Sequence, residues 1–242
     1  MSKHNISTLK QTTPYTIIYI IVMVLIVGIA LAATALALKP RQQENINADK
    51  MKQILAAVHI VPEKGQVSND FKHYISEQIV VNSEGELVDG DAFTINMAEQ
   101  VKLADSERKL PMFVCRLDNG EQKYIIPAYG AGLWGPIWGY IAIDSDGSTI
   151  YGAYFAHQGE TPGLGAEIEK PVFTSQFNSS LHLFKDGNFL PIEVVKGGKA
   201  PANGADYVNG ISGGTITSKG VGSMLNNCLS PYKSYLEQLS KK

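Results

Sequence analysis

The hydrophobic pattern of the chain changes sharply near residue 40. Residues 11–38 contain no charged side chain, and most of residues 17–38 are apolar. A helix of that length rises about 33 Å and would span the roughly 30 Å hydrocarbon layer of a bilayer. Tyr15 and Tyr19 near one end, and Lys39 and Arg41 at the other, are typical of the boundaries of such a span. The pattern therefore predicts an N-terminal tail and transmembrane anchor over residues 1–39.

A cleaved signal peptide is the alternative interpretation of this segment. Residues 35–37 (ALA) offer a small-x-small cleavage pattern. The apolar core of a signal peptide is usually about 7–15 residues long, however, and this one is longer. We favour a retained anchor.

Positive charges on the two sides of the span give a weak preference for its orientation. Lys3 and Lys10 precede the span, whereas Lys39, Arg41, Lys50 and Lys52 follow it closely. Because more positive charges follow the span than precede it, the positive-inside rule favours a cytoplasmic location for residues 40–242. The difference in charge count is too small to decide on which side of the membrane they lie.

After the span, residues 40–82 have the pattern of a helical neck. Ile46, Met51, Ile54, Leu55 and Val58 recur at helical spacing over residues 41–60, and residues 69–81 predict a second helix. The helix over 41–60 either continues the membrane helix or stands directly after it.

Residues 83–242 are predicted to form the main domain. Apolar runs at 113–117 and 123–126 flank an Asp-Asn-Gly turn, and runs at 140–143 and 149–155 flank residues 144–147 (DSDG), so each pair predicts a hairpin. Residues 163–177 predict a short helix, 191–195 a strand, and the segment from about Ser218 a helix that Pro231 interrupts. The fold class is α+β, with an antiparallel sheet and flanking helices.

Charge and cysteine content exclude several function classes. The chain has a net charge of −2, and residues 40–242 carry 18 basic and 23 acidic side chains, a net charge of −5. This is not the basic footprint of a nucleic-acid-binding protein. Cys115 and Cys228 permit one disulfide without requiring it. The five histidines lack the spacing of metal ligands, so we predict no metal site.

Three glycine-rich segments are candidates for a binding site. Residues 130–140 contain both tryptophans, residues 157–165 contain a Glu-Thr pair, and residues 211–221 carry several hydroxyls before a predicted helix. Glycines let a backbone approach a flat ligand on which Leu and Trp can pack, and a helix N-terminus favours a phosphate. Each segment also has an ordinary interpretation: a tight turn, a solvated loop, and helix capping by Thr217 or Ser218.

Common nucleotide and hydrolase motifs are not found. The chain has no G-x-x-x-x-G-K-[ST] and no G-x-S-x-G. Residues 130–135 match G-x-G-x-x-G by letter, but they precede a predicted strand rather than a helix, so the dinucleotide-binding fingerprint fails on context.

Taken together, these features resemble a family of flavin-binding subunits over nearly the whole chain. The resemblance rests on the single N-terminal span, the junction at 39–45 (KPRQQEN), and residues 160–165 (ETPGLG) and 212–218 (SGGTITS). The family comprises the C subunit of the sodium-translocating NADH:quinone oxidoreductase and the G subunit of the Rnf complex. The junction and the Trp134–Trp138 segment favour the sodium-pump member.

The resemblance implies that FMN is attached through its phosphate to Thr215 by a flavin transferase that uses FAD. Gly214 stands where the family usually has Ala, and Asn209 stands where an Asp is common. The family implies that Leu164, with Leu133 or Trp134, covers the faces of the flavin ring. The complete set of expected cofactor-binding residues is Thr215, Ser212, Gly213, Gly214, Thr217, Glu160, Thr161, Gly163, Leu164, Gly165, Leu133 and Trp134.

The resemblance also implies a role and a location. The chain is expected to relay electrons as one subunit of a sodium-pumping NADH:quinone oxidoreductase, inactive alone, in the bacterial inner membrane. Its partners are the other membrane subunits, the flavin transferase and the lipid bilayer, and its body lies on the periplasmic side, against the weak charge count. Two alternatives remain: an FMN subunit of an Rnf-type ferredoxin:NAD complex, and a cofactor-free membrane-anchored assembly module.

The apolar segment yields a first prediction. We expect the membrane-extracted chain to keep its N-terminus, because the apolar core exceeds the length of a signal peptide. Intact mass spectrometry of the purified protein measures this directly. A mature chain that begins near Leu38 would contradict a retained anchor.

Overall fold

The computed structural model describes residues 13–241, so the predicted tail with Lys3 and Lys10 lies outside the described residues. Helix α1 (Thr13–Ala56) continues through Pro40 without a break, as the first of the two neck interpretations expected. It is long and apolar enough to cross a membrane. The chain divides after Asp49 into a helical unit and a compact unit that begins at Lys50.

Within residues 13–241, a five-stranded antiparallel sheet forms the centre of the second unit. Its strands follow one another in chain order, each paired with its neighbour in sequence. Both predicted hairpins, β2–β3 and β4–β5, are confirmed, and so is the α+β class. The strands are β1 (Ile75–Val81), β2 (Leu110–Arg116), β3 (Gln122–Ala131), β4 (Pro136–Asp144) and β5 (Ile150–His157).

Short helices and strands surround this sheet. The helices are α2 (Val67–Tyr74), α3 (Met97–Gln100), α4 (Pro171–Thr174), α5 (Thr215–Leu229) and α6 (Lys233–Leu239). Single 3-10 turns cover Asp105–Glu107, Gly165–Glu169 and Ser230–Tyr232. The antiparallel strands β6 (Phe184–Lys185) and β7 (Asn188–Phe189) pair, and so do the parallel strands β8 (Glu193–Val195) and β9 (Tyr207–Asn209).

The helix predicted over residues 69–81 is wrong in its second half. Helix α2 ends at Tyr74, the backbone of Ile75 is extended, and β1 then pairs with β2. Apolar residues in so short a segment satisfy helical and strand spacing equally well. Pairing with β2 and burial of Ile75, Val80 and Val81 lower the free energy of the folded chain, and both favour the strand over the helix.

Both faces of the sheet are buried, and alternate residues of a strand enter different cores. On β2, Val114 packs in the core that contains Leu225 of α5, whereas Phe113 packs in the core that contains Leu55 of α1 and Phe71 of α2. The last turns of the long helix are therefore an integral part of the domain. The boundary predicted between residues 82 and 83 falls inside this unit.

The two cysteines are free, which answers the question that the sequence left open. Cys115 belongs to the core on the α1 face of the sheet, whereas Cys228 belongs to the core on the α5 face. The sheet therefore separates them, and no disulfide joins them.

Two glycines bring helix α5 close to strand β3. A Cβ at Gly130 would lie 2.7 Å from the Cβ of Met224, and a Cβ at Gly220 would collide with the carbonyl oxygen of Ala131. Without side chains at these positions the helix can pack directly on the strand. This contact places the start of α5 beside the turn between β3 and β4.

The buried end of helix α1 supplies a stability prediction. A shortened chain of residues 40–242 should fold without the span, because it keeps both cores. In that chain, Leu55→Ala should lower the free energy of unfolding by about 2–5 kcal/mol, the usual cost of truncating a buried leucine, since Leu55 is fully buried. Urea titration measures the change. Val61→Ala is the control, because Val61 is 80% exposed, and an equal loss in both variants would contradict this role of the neck.

Candidate functional site

The three glycine-rich segments of the sequence meet in the structure. The first is the turn between β3 and β4, the second follows β5, and the third leads into α5. Side-chain atoms of Glu160, from the second segment, bond to Trp134 in the first and Thr217 in the third. A single carboxylate therefore joins the three segments.

Glu160 is almost completely buried, with 5% of its surface exposed. Its Oε1 accepts a 2.8 Å hydrogen bond from the backbone N–H of Trp134, and its Oε2 accepts one from the hydroxyl of Thr217. Its own backbone N–H donates to Nδ1 of His157 over 3.1 Å. A buried charge is costly unless it is hydrogen-bonded, and here each carboxylate oxygen has a donor.

Glycines make room for this carboxylate. A Cβ on Gly132 would lie 2.5 Å from Oε1 of Glu160, and a Cβ on Gly165 would collide with both Oε2 of Glu160 and Oγ1 of Thr217. These two glycines are thus required by close approach to a side chain. Their part in the site is to admit Glu160.

Glu160 is ionised at neutral pH. Burial alone would raise its pKa, but the hydrogen bond from Thr217 and the backbone N–H groups of Trp134 and Leu133 outweigh burial and hold the pKa below its usual value. The ionised carboxylate accepts bonds from both sides. It therefore fixes the turn that carries Leu133 and Trp134 to the first turn of α5.

Helix α5 begins differently from the sequence prediction. The N-cap residue is Gly214, and no side chain of the described residues caps the helix. The proposed caps are otherwise engaged: the Thr217 hydroxyl donates to Glu160, and Oγ of Ser218 accepts a 2.8 Å bond from the N–H of Ile211. The capping interpretation is therefore wrong. The uncapped first turn begins with Thr215, whose side chain is exposed.

The loop before Thr215 depends on a glycine in the left-handed region. Gly213 has φ +76°, and a Cβ there would lie 2.7 Å from Cδ2 of Leu164. The loop therefore packs against Leu164, so the second and third segments also touch at the surface. Ser212 is exposed beside it.

Large apolar side chains are exposed around this meeting point. Leu133, Trp134 and Leu164 were expected here from the resemblance, whereas Ile216 was not. In the sequence, nothing distinguishes Ile216 except that it is apolar and directly follows Thr215. Their exposed fractions are 48% for Leu133, 69% for Trp134, 42% for Leu164 and 57% for Ile216.

The second tryptophan has a different role. Trp138 lies on β4, is partly buried against the core on the α1 face, and its Nε1 donates a 3.0 Å bond to Oε1 of Gln53. It therefore fixes the end of α1 to the sheet. Trp134, four residues earlier, is left at the surface.

The remaining expected residues lie on the loop 160–165. Thr161 is exposed, and its carbonyl oxygen accepts bonds from the N–H groups of Leu164 and Ala166. The N–H of Gly163 donates to Oε1 of Glu167 over 3.1 Å. The amide of Gly163, one of the expected cofactor-binding residues, is thus already engaged within the loop.

Two clefts flank the loop 211–215. One, of about 510 Å³, is lined by Ser212, Thr215 and the lysines Lys196 and Lys219. The other, of about 660 Å³, is lined by Glu167, Gln176 and Asn209. The exposed hydroxyl of Thr215 therefore borders a cleft whose charged side chains are cationic.

Comparison with known proteins gives a consistent result. The model of the FMN-binding domain family matches residues 132–230, which contain the second and third segments and all but the first two residues of the first. The chain is 34% identical to the C subunit of Na(+)-translocating NADH-quinone reductase from Vibrio anguillarum, over 85% of this chain and 86% of that protein. It is 30% identical to the corresponding subunit of Haemophilus ducreyi, over 91% and 90% of the two chains.

Solved structures agree. The crystal structure of the C subunit of Na(+)-translocating NADH-quinone reductase from Parabacteroides distasonis is similar with a TM-score of 0.77 and 48% identity, over 82% of this chain and 96% of that one. The NqrC structure from Shewanella oneidensis matches with a TM-score of 0.67 over 82% and 100% of the two chains. At 23% identity the latter supports the fold alone.

The buried carboxylate yields a prediction. We expect Glu160→Gln to lower the free energy of unfolding at pH 7 by about 1–3 kcal/mol, because one of two buried donors then loses its acceptor. Since the pKa of Glu160 is lowered in the folded state, its contribution is fully present above the unfolded value of about 4.3. It is lost as the pH falls through the folded-state pKa.

Urea titrations at pH 7 and at successively lower pH test both points. The difference between wild type and Glu160→Gln should shrink as the pH falls below about 4.3. The exposed Glu63 provides the control variant Glu63→Gln, which should match wild type. A difference between wild type and Glu160→Gln that stays constant with pH would show that the lost stability does not come from the ionised carboxylate.

Proposed function

The chain belongs to the family formed by the C subunit of Na(+)-translocating NADH-quinone reductase, and we propose that it carries FMN covalently on Thr215 and relays electrons within such a complex. The observation that carries the proposal is the position of the Thr215 hydroxyl. It is exposed on the uncapped first turn of α5 and borders a cationic cleft. A hydroxyl so placed is accessible to a modifying enzyme.

The surroundings of Thr215 suit a flavin. Leu133, Trp134, Leu164 and Ile216 expose apolar surface beside it, and such clustered exposure on a soluble domain marks a binding site. These side chains would pack against the ring, while Ser212 and Thr161 offer polar groups at its edge. Bound FMN supplies reversible one- and two-electron transfer, and the protein holds and orients it.

Attachment requires one phosphoryl transfer. The Thr215 oxygen forms a bond to the phosphorus of the FMN half of FAD, the bond from that phosphorus to the AMP oxygen breaks, and the hydroxyl proton is released. We propose that a flavin transferase catalyses this step, since the lining of the cleft that Thr215 borders contains no carboxylate or histidine to accept the proton. Gly213 and Gly214 have no side chains, so the loop before Thr215 is narrow and the Thr215 hydroxyl can enter the active site of the transferase.

We also propose that α1 anchors the chain in the inner membrane. Its length and apolar composition allow a span, and its residues 13–46 are all exposed, as expected of a helix that contacts lipid or other membrane subunits. The domain would lie on the periplasmic side. Similarity to the sodium-pump relatives over most of the chain favours the sodium-pumping complex over an Rnf-type one.

Substitution of Thr215 tests the attachment. Thr215→Val, co-produced with the flavin transferase, should carry no covalent flavin, because valine keeps the branched shape and removes the acceptor oxygen. Fluorescence of the band after a denaturing gel and the mass of the peptide containing residue 215 measure attachment. An unflavinylated wild-type protein would instead favour a cofactor-free assembly module.

Thr217→Val is the matched control in the same loop. It should keep covalent flavin and lose stability, because Glu160 loses a buried donor, which costs about 1–3 kcal/mol. Covalent fluorescence that persists in Thr215→Val but disappears in Thr217→Val would transfer the attachment to Thr217 and defeat the proposal.

A further inference from the structure

The cleft beside Thr215 contains two lysines, Lys196 and Lys219, whose ammonium groups have no hydrogen-bond or ion-pair partner among the described residues. We propose that it is a phosphate-binding subsite in which Lys219, assisted by Lys196, compensates the negative charge of the flavin phosphate. This inference rests on the proposed function, because it concerns the phosphate that Thr215 would carry. The ligand class is a phosphate ester, as a diester on Thr215 or as a monoester on free FMN.

The position of Lys219 on α5 supports this assignment. Lys219 follows Thr215 by four residues on the same helix, so the two side chains lie on one face, one turn apart. Both line the cleft of about 510 Å³. Lys196 lines the same cleft from the segment after β8, so the two lysines approach it from separate elements.

The charge pattern around the loop is asymmetric. The lining of this cleft includes two lysines and no carboxylate, although residues 40–242 carry a net charge of −5. The cleft on the other side of the loop contains Glu167 and no basic side chain. An anion at Thr215 is therefore favoured on the lysine side.

Neither lysine forms an ion pair within the described part of the chain, although Lys219 also lines a neighbouring cleft that contains Glu193. The ion pairs formed there involve other cations, such as Lys123 with Asp144 and Lys185 with Asp206. A lysine ammonium has three donors and a flexible stem, so it can follow a tethered phosphate. Charge-assisted bonds of this kind are stronger than neutral ones.

Amine reactivity tests the assignment on the full-length protein in detergent. A phosphate beside an ammonium raises the amine pKa, so acylation of Lys219 by acetic anhydride should be about twofold to fivefold slower in flavinylated wild type than in Thr215→Val. Peptide mass spectrometry measures the rate at each lysine. Lys199, on the same segment as Lys196 but outside the cleft lining, is the internal control. Equal rates at Lys219 in both proteins would overturn the proposal.

A binding measurement separates this proposal from the proposed function. If the peptide containing residue 215 carries no flavin, covalent attachment has failed, and the cleft is then tested with free flavins. Full-length Thr215→Val should bind FMN about twofold to fivefold more tightly than riboflavin, which lacks only the phosphate. Adding Lys219→Met should remove that preference and leave riboflavin affinity unchanged, whereas adding Lys199→Met should not. Equal affinity for the two flavins, including no detectable binding of either, would overturn the subsite.

Discussion

A carboxylate that is removed from water on folding needs donors from the protein, and Glu160 finds them on two segments that are distant in sequence. Trp134 is 26 residues away and Thr217 is 57 residues away. The bond to Trp134 requires β4 and β5 to be paired, and the bond to Thr217 requires α5 to lie beside the loop after β5. The two hydrogen bonds therefore form together only when the whole site is correctly arranged. Leaving either buried donor unpaired would destabilise the fold by more than the loss of an ordinary surface contact.

The same carboxylate explains why apolar side chains are exposed at the site. The space between the three segments is filled by Glu160 and Thr217, and Gly132 and Gly165 touch those side chains with no room for a Cβ. Leu133, Trp134 and Leu164, which neighbour these positions in sequence, are displaced to the surface. A polar, fully bonded interior beneath an apolar exterior is an arrangement that a flat, partly apolar ligand can complete.

The sequence predicted the parts of the fold that local chemistry determines. The turn Asp118-Asn119-Gly120 between apolar runs specified the β2–β3 hairpin, which needs no distant information. Strand β1 was missed because Ile75–Val81 acquires its conformation from pairing with β2. Helix α5 was placed three residues late, because Gly214 provides an N-cap without a side-chain signal.

At the site, sequence could nominate residues but could not assign partners. Thr217 has the same local neighbourhood whether it caps a helix or donates to a buried carboxylate, and the deciding atom belongs to Glu160. Ile216 was overlooked because the predicted helix began only at Ser218, which left Ile216 in a loop rather than in the first turn of α5. Lys219 belongs to no recognised motif, so the sequence alone gave no reason to select it. Its significance follows from sharing a cleft with Lys196, which only the folded chain brings about.

One hairpin links the site to the end of the long helix. The turn between β3 and β4 carries Trp134 at the site, and Trp138, four residues later, donates to Gln53 in the last turns of α1. Leu55 is fully buried on the same face of the sheet. These contacts stiffen the strand from which the turn projects. For the proposed electron relay such stiffness would matter, because a flavin ring held by a flexible turn would vary in its distance to donor and acceptor. The packed end of α1 would then serve the proposed site as well as the stability of the domain.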